Sequence, residues 1–349
     1  MTGLAGLPLY VELLHTLKIR QIMRESLDSG TEEGRVWKPS DIVLALVLLN
    51  LAGGEHVEDL RILQSDSGFY RLMDTIGTIG MTSSERRKHK RLQRSQGAGM
   101  LPSCSTVFRF LKRDGVEGLA LRGQGQAFVP EPGQTAKQLR AVNKALLAAL
   151  EHNKPCDTVT LDMDATLIET HKADSLYSYK GFSAYQPLNI WWDEQRVLLD
   201  TEFRDGNVPA GYLLKPAFER ALSCLPESVK GKKIFLRSDT AAYKIDLLKY
   251  CEDEAIEFAI GCPIEESLRK DIRALPASAW KKLDKLREYA EVCHVPASLS
   301  KSKQGYEFRY IATREVFNKQ GTLPGLPEAD YPFPTEKMGE IQYKIQAIV

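Results

Sequence analysis

At Asp157 the hydrophobic period of this chain changes from that of a helix to that of a strand, and this switch limits the possible folds more than any other feature. TVTLDMDATLI (residues 158–168) alternates and is rich in β-formers, and NIWW (189–192) and VLLDTEF (197–203) follow as two further strands. Next come a helix near residues 210–222, the strand KIFLRSD (233–239), a helix at 241–252 and the strand EFAIGCP (257–263). Three strands in succession imply an antiparallel meander, whereas strands alternating with helices imply parallel crossovers, so the sheet is predicted to be mixed. That element order is the one expected of a ribonuclease-H-like α/β fold.

The 349 residues are too many for one compact core, so two domains are expected, a mostly helical one over 1–155 and the sheet domain over 156–349. Helices are predicted at 8–23, where Leu9, Leu13 and Leu17 recur at helical spacing, at 39–51 behind the cap signals Pro39 and Ser40, at 56–65 and at 136–150. The net charge of +1 conceals an asymmetry: residues 1–155 carry 21 Lys and Arg against 16 acids, and the remainder 26 against 30. A basic half suits a polyanion, and an acidic half concentrates carboxylates.

A dense cluster of positive charge sits in SERRKHKRLQRSQ (84–96), where Arg86, Arg87, Lys88, Lys90, Arg91 and Arg94 face one acid, Glu85. This is either a solvated basic helix or a contact to a phosphate backbone. In PSCSTVFRFLKR (102–113), Ser103 or Ser105 caps a helix that presents Arg109, Lys112 and Arg113, a DNA-facing helix in a helix-turn-helix-like arrangement or a plain surface helix. The six cysteines form no CxxC pair, which argues against a disulfide framework or a zinc knuckle. The most apolar run, residues 42–51, is about half the length a bilayer requires, and the first residues lack a basic n-region. No membrane association and a place inside the cell are therefore expected.

Candidate chemistry rests on carboxylates. Asp162 and Asp164 are two residues apart on the first predicted strand, so both side chains emerge on one face among apolar neighbours. Carboxylates there need a partner, and a bound divalent cation is one way to keep them ionised. Asp239 ends the fourth strand, at the edge where open α/β sheets bind ligands, and converges on the first pair if strands one and four are neighbours. An oxygen-only set suits Mg²⁺ or Mn²⁺ and phosphoryl transfer with two metal ions. The alternative is an Asp162 that faces solvent and an Asp239 that only caps the next helix. RDGN (204–207) reads as a tight turn, Tyr243 as a packing residue, and His171, Lys172 and Lys180 as surface.

The combination LDMDATLIETHK, YQPLNIWW, FRDGNVPAG, IFLRSDTAAY and IEFAIG resembles the catalytic region of bacterial insertion-sequence DDE transposases, in particular the thirteen-eighty group. LAGGEHVEDLRIL and LPSCSTVFRFLKR are similar to that group's leading domain. The resemblance covers nearly the whole chain. It implies metal-dependent cleavage and strand transfer of insertion-sequence ends, with double-stranded DNA (terminal inverted repeats and target) as partner, Mg²⁺ or Mn²⁺ as cofactor, a homodimer in the active complex and a nucleoid-associated location in the cytoplasm. The first catalytic Asp carries over onto Asp164, with Asp162 as the other candidate, and the second onto Asp239. The family's third carboxylate is a Glu on a helix after an inserted β-rich segment; here the insertion starts near Ile264, so that helix is expected beyond Val349 and the chain is expected to be truncated. Glu315 and Glu340 lie at a strand end and a pre-strand turn and are not assigned that role. The alternative function is a catalytically inactive transposase that only binds element-end DNA.

Overall fold

The structure, a computed structural model, describes residues 4, 6–30, 37–69, 71, 82–95, 101–113, 127–296, 306–317 and 333–349. The chain divides into two compact units, Met1–Asn153 with Pro226–Ser228 and Lys154–Leu225 with Val229–Val349.

The first unit is helical in its described residues: α1 (Leu7–Thr16), α2 (Ile19–Leu27), α3 (Pro39–Leu51), a 3₁₀ turn (Val57–Asp59), α4 (Leu60–Ser65), α5 (Ser83–Ser95), α6 (Cys104–Arg113) and α7 (Gln134–Asn153). The single helix expected over 8–23 is broken, because Lys18 adopts a left-handed conformation with φ 54° and the chain restarts as α2. The break changes which residues face inward. Leu7 and Val11 of α1 and Ile19, Met23 and Leu27 of α2 are buried, whereas Leu9 and Leu13, whose spacing suggested the helix, are exposed. α3 has the expected bounds, but its first turn is held from outside: the Ser40 N–H and hydroxyl donate to Asp28 Oδ1 and Oδ2 at 3.0 and 2.8 Å. α3, α4 and α6 close a core through Leu48, Leu60 and Val107. No described helix is long and apolar enough to cross a membrane.

The second unit is built on a large mixed sheet. Its strands are β1 (Thr158–Ala165), β5 (Leu188–Trp192), β6 (Val197–Glu202), β7 (Lys233–Ser238), β8 (Glu257–Cys262), β9 (Lys281–Lys282), β10 (Arg287–Val292), β11 (Tyr310–Val316), β12 (Thr335–Met338) and β13 (Ile341–Ile348). The order is β6-β5-β1-β7-β8-β13-β11-β10-β9, with β12 on β13. β1 runs antiparallel to β5 and parallel to β7, β7 runs parallel to β8, and β5 runs antiparallel to β6. The meander and the crossovers therefore share one sheet, as their sequence order required. Helix α8 (Leu214–Cys224) packs on β6 and α9 (Ile245–Asp253) on β8, and Phe218 and Leu248 are buried, as are Leu161, Trp192, Leu236 and Ile260 of the sheet.

Two features were not legible in the sequence. Between β1 and β5 the chain forms a separate small sheet, β2 (Ile168–Glu169), β4 (Ser183–Tyr185) and β3 (Leu176–Tyr177), in the order β2-β4-β3. The segment after residue 264 opens with a helix, α10 (Glu266–Arg273), before its strands, and β13 returns it to the main sheet through Ala347↔Cys262 and Ile348↔Gly261.

Glu336 of β12 is buried between two arginines of α10, Arg269 at 2.8 Å and Arg273 at 2.5 Å. Burial raises its pKa, but the hydrogen bonds from Arg273 and Arg269 prevail and hold it below the ordinary glutamate value. A lowered folded-state pKa contributes stability above the unfolded value of about 4.3, and that contribution is lost as pH falls through the folded value. Glu336→Gln is expected to cost about 2 kcal/mol at pH 7 and to reduce the acid sensitivity of unfolding. Urea melts at pH 7 and pH 3.5 check this; an equal loss at both would disprove the linkage.

Candidate functional site

β1 alternates in burial: Val159, Leu161 and Met163 are buried, while Asp162 is half-buried and Asp164 exposed on the other face. The parallel register Asp162↔Arg237 and Met163↔Ser238 brings β7 alongside, so Asp164 and Asp239 follow as the next residues where the two strands end. The Ser238 hydroxyl donates to the Met163 carbonyl at 2.6 Å and ties the strands together just before that point. Strand ends of this kind are where open sheets present functional groups.

After Ser238 the chain turns sharply. Asp239 starts a 3₁₀ turn (Thr240–Ala242), and its Oδ1 accepts the Ala241 N–H at 3.0 Å. The turn leans on β8 at Gly261, where a Cβ would lie 2.9 Å from the Thr240 nitrogen, so any larger residue would push the Asp239 corner outward. Asp239 is thus both a cap and a neighbour of Asp164. Although Asp164 is exposed, its carboxyl is partly desolvated; that first, and the negative charge of Asp239 second, push its pKa above the ordinary aspartate value.

Asp162 has a different role. Arg237 holds it bidentately, Nε to Oδ1 and Nη2 to Oδ2, both at 2.6 Å, and reaches Asp193 at 2.9 Å. Those carboxylates raise the Arg237 pKa, the Asp162 hydrogen bonds contributing most. Of the two aspartates on one strand face, one is neutralised by an arginine and the other faces a like charge. Arg237 is the residue of this candidate site that strand reading missed, since its pairing with Asp162 appears only once the β1–β7 register is known.

Across the antiparallel partner, Asp164 faces Asn189, whose Oδ1 accepts the Thr201 hydroxyl at 2.8 Å. The RDGN turn is structural: Arg204, Asp205 and Gly206 are buried. Tyr243 packs, its hydroxyl 2.8 Å from that of Tyr310. Among the described residues no group of three or more Asp, Glu, His or Cys is arranged to hold a metal ion. Two carboxylates with oxygen donors only, one kept from ionising freely by the other, nonetheless suit a hard divalent cation, which would relieve the repulsion.

In the helical unit, Arg86, Arg87, Lys90 and Arg91 are exposed on α5. Lys88 and Arg94 lie on the same helix, but their side chains fall outside the described residues. Ser103, rather than Ser105, caps α6, accepting the Thr106 N–H at 3.3 Å. Val107 faces the core, and Arg109 and Lys112 are exposed. The Arg109 guanidinium folds back to the Ser105 carbonyl at 3.3 Å, and Arg113 ends the helix with its side chain outside the described residues.

No curated protein matches the chain. Among solved structures it is similar to the catalytic domain of the Mos1 mariner transposase, at 9% identity over 41% of this chain and 68% of that one, with a TM-score of 0.23. It is similar also to the piggyBac transposase in its synaptic complex with hairpin DNA, at 12% identity, 98% and 60% coverage and a TM-score of 0.33. The Mos1 transposase in its paired-end complex with the left transposon end gives 10%, 65% and 60%, and 0.23. The chain thus spans 60% of the length of the last two proteins. The family model for Transposase DDE domain group 1 matches residues 1–314, nine-tenths of the sequence, and on that match the chain belongs to the DDE-domain transposases.

Proposed function

We propose that this chain acts in DNA transposition as a metal-dependent transposase of insertion-sequence ends, with a ribonuclease-H-like catalytic unit and a basic helical unit that binds DNA. The observation that carries the proposal is the Asp164–Asp239 pair at the ends of β1 and β7, two like charges with no cationic side chain bonded between them among the described residues, beside an Asp162 that Arg237 already neutralises. The central strand order β6-β5-β1-β7-β8 supports the ribonuclease-H-like reading. Family membership supports the reaction class.

Asp164 and Asp239 would hold Mg²⁺ or Mn²⁺. When bound, the metal lowers the pKa of the attacking hydroxyl and offsets charge on the phosphate oxygens. The chain's own residues arrange that site. The Ser238 bridge and the Gly261 contact fix the two carboxylates, and Arg237 keeps Asp162 from competing for the cation. Exposed Arg86, Arg87, Lys90, Arg91, Arg109 and Lys112 supply phosphate contacts, with Lys88, Arg94 and Arg113 on the same two helices. Pairing of two DNA ends calls for a homodimer.

The test is Mn²⁺-dependent nicking of labelled duplex carrying the element's terminal repeats. One observation favours a second reading, a transposase that binds ends without cutting them: no third carboxylate joins the pair among the described residues. Binding without nicking at any Mn²⁺ concentration would select it. The two aspartates of β1 are expected to behave differently. Asp162→Asn leaves Arg237 paired with Asp193 at a solvated surface, so stability should change by about 1 kcal/mol or less and Mn²⁺ affinity by less than about tenfold. Calorimetric titration checks this; loss of Mn²⁺ binding in Asp162→Asn would make Asp162 the ligand.

A further inference from the structure

The small β2-β4-β3 sheet has no part in the chemistry above, yet it starts four residues after Asp164. Its registers Ile168↔Tyr185 and Tyr177↔Ser183 place Ile168, Tyr185 and Tyr177 on one face. That face is open: Ile168 is 51% exposed, Tyr177 71%, and Phe203, which packs against Tyr185 in a tilted pair with ring centroids 4.9 Å apart, 52%. Rings are rarely left in water in such a cluster without a partner. The Lys172 ammonium stands 5.9 Å from the Tyr185 ring centroid, which adds a cation beside the ring pair.

The opposite face is firmly seated. Ala184 is fully buried, and a Cβ at Gly206 would lie 2.5 Å from the Ala184 carbonyl oxygen and 2.7 Å from that of Leu176, so only glycine lets the 204–207 turn press against the sheet. Arg204 O accepts the Gln186 N–H at 2.8 Å, and Tyr185 bridges to Asp205. The rings are therefore displayed on a braced platform.

Resting on the transposase reading above, we infer that this aromatic face is a stacking surface for unpaired bases at the DNA end being processed. Segment 166–187 carries Lys172 and Lys180 against Glu169 and Asp174, so it lacks the net positive field that duplex backbone binding uses. Stacking on rings needs no such field and accepts any base. Four residues of extended chain span at most about 14 Å, roughly four bases along a strand, so the surface lies within reach of nucleotides next to the reacting phosphate.

The full chain is titrated with two probes, a blunt duplex of the terminal repeat and the same duplex ending in an unpaired arm of about six nucleotides that contains 2-aminopurine. The wild type is expected to quench the arm's fluorescence and to prefer the forked probe. Tyr177→Ala with Phe203→Ala should lose the quench and about tenfold or more of that preference while binding the blunt duplex as before, and Tyr177→Phe should keep both. Quenching that survives the double substitution overturns the inference, as does a wild type that binds the blunt duplex yet shows no preference and no quench. If the double variant instead loses self-association in sedimentation velocity while its quench persists, the face belongs to a second copy of the chain. A wild type that binds neither probe refutes the transposase reading itself, and this surface with it.

Discussion

Asp164→Ala and Asp239→Ala are each expected to lower Mn²⁺-dependent nicking of element-end DNA by at least about 10³-fold, with binding of the same DNA unchanged. A carboxylate that holds a catalytic cation supports several kcal/mol of transition-state charge stabilisation, and each 1.36 kcal/mol is a factor of ten in rate. DNA affinity should persist because the cations of α5 and α6 lie in the other unit. A second signature separates this site from a merely structural pair. Burial and Asp239 hold the Asp164 carboxyl above its ordinary pKa, so its charged form is disfavoured in the folded protein and costs stability once pH exceeds the folded value. In metal-free buffer at neutral pH, Asp164→Asn should therefore melt slightly higher than wild type, and added Mn²⁺ should raise the wild-type melting temperature but not that of the variant. Nicking that survives both alanine substitutions would remove these residues from the reaction, and a metal-free Asp164→Asn that melts lower would remove the repulsion from the account.

The site and the sheet were legible to different degrees, for reasons particular residues make plain. Asp162 and Asp164 could be assigned to one face of one strand because strand geometry alternates strictly. The choice between them could not, because it depends on which β7 residue stands beside each, and a parallel register has no signature in either strand. Arg237 stands opposite Asp162 and pairs with it, which is the basis on which Asp164 is proposed as the ligand. Asp239 was legible since a strand that gives way to a turn marks itself. The β2-β4-β3 sheet was not, because strands of two and three residues are too short to display a period. In the helical unit, α3 had clear bounds, but the chain breaks at Lys18, and Leu9 and Leu13 of the predicted stripe are exposed while Leu17 packs on the core. Lysine has no sequence preference for the left-handed region that would have announced it. The segment after residue 264 was expected to be β-rich from the family resemblance; α10 is short and nearly all polar outside Leu268 and Ile272, which weakens its periodic signal.

Arg204→Met is expected to destabilise the sheet unit by about 3 kcal/mol, although Arg204 bonds to Glu202 and the Ala210 carbonyl rather than to Asp164 or Asp239. Its side chain is fully buried, with Nε donating to Glu202 Oε1 at 2.7 Å. Nη2 lies 2.6 Å from that same oxygen, but the Nε–H is the group with hydrogen-bond geometry, so Nη2 contributes attraction without a bond of its own. Arg220 completes the set, reaching Asp200 at 2.9 Å and the second Glu202 oxygen at 2.7 Å. Two arginines and two acids balance. Burial lowers the Arg204 pKa and Glu202 opposes that shift; an arginine ordinarily titrates so far above neutrality that the guanidinium stays charged. Removing Arg204 leaves the set with one surplus negative charge in a region with little solvent, and an unbalanced buried charge costs about 3–5 kcal/mol. For a unit of this size that is a melting temperature lower by about 6–12 °C. Arg204→Met with Glu202→Leu restores the balance, leaving Arg220 with Asp200, and should recover part of the loss. If the double variant is as unstable as the sum of the two single ones, the charges act independently and the network argument fails. Because the 204–207 turn is also what the aromatic sheet leans on, the single variant should lose 2-aminopurine quenching at temperatures well below its melting point, a sign that the turn loosens before the sheet behind Asp164 does.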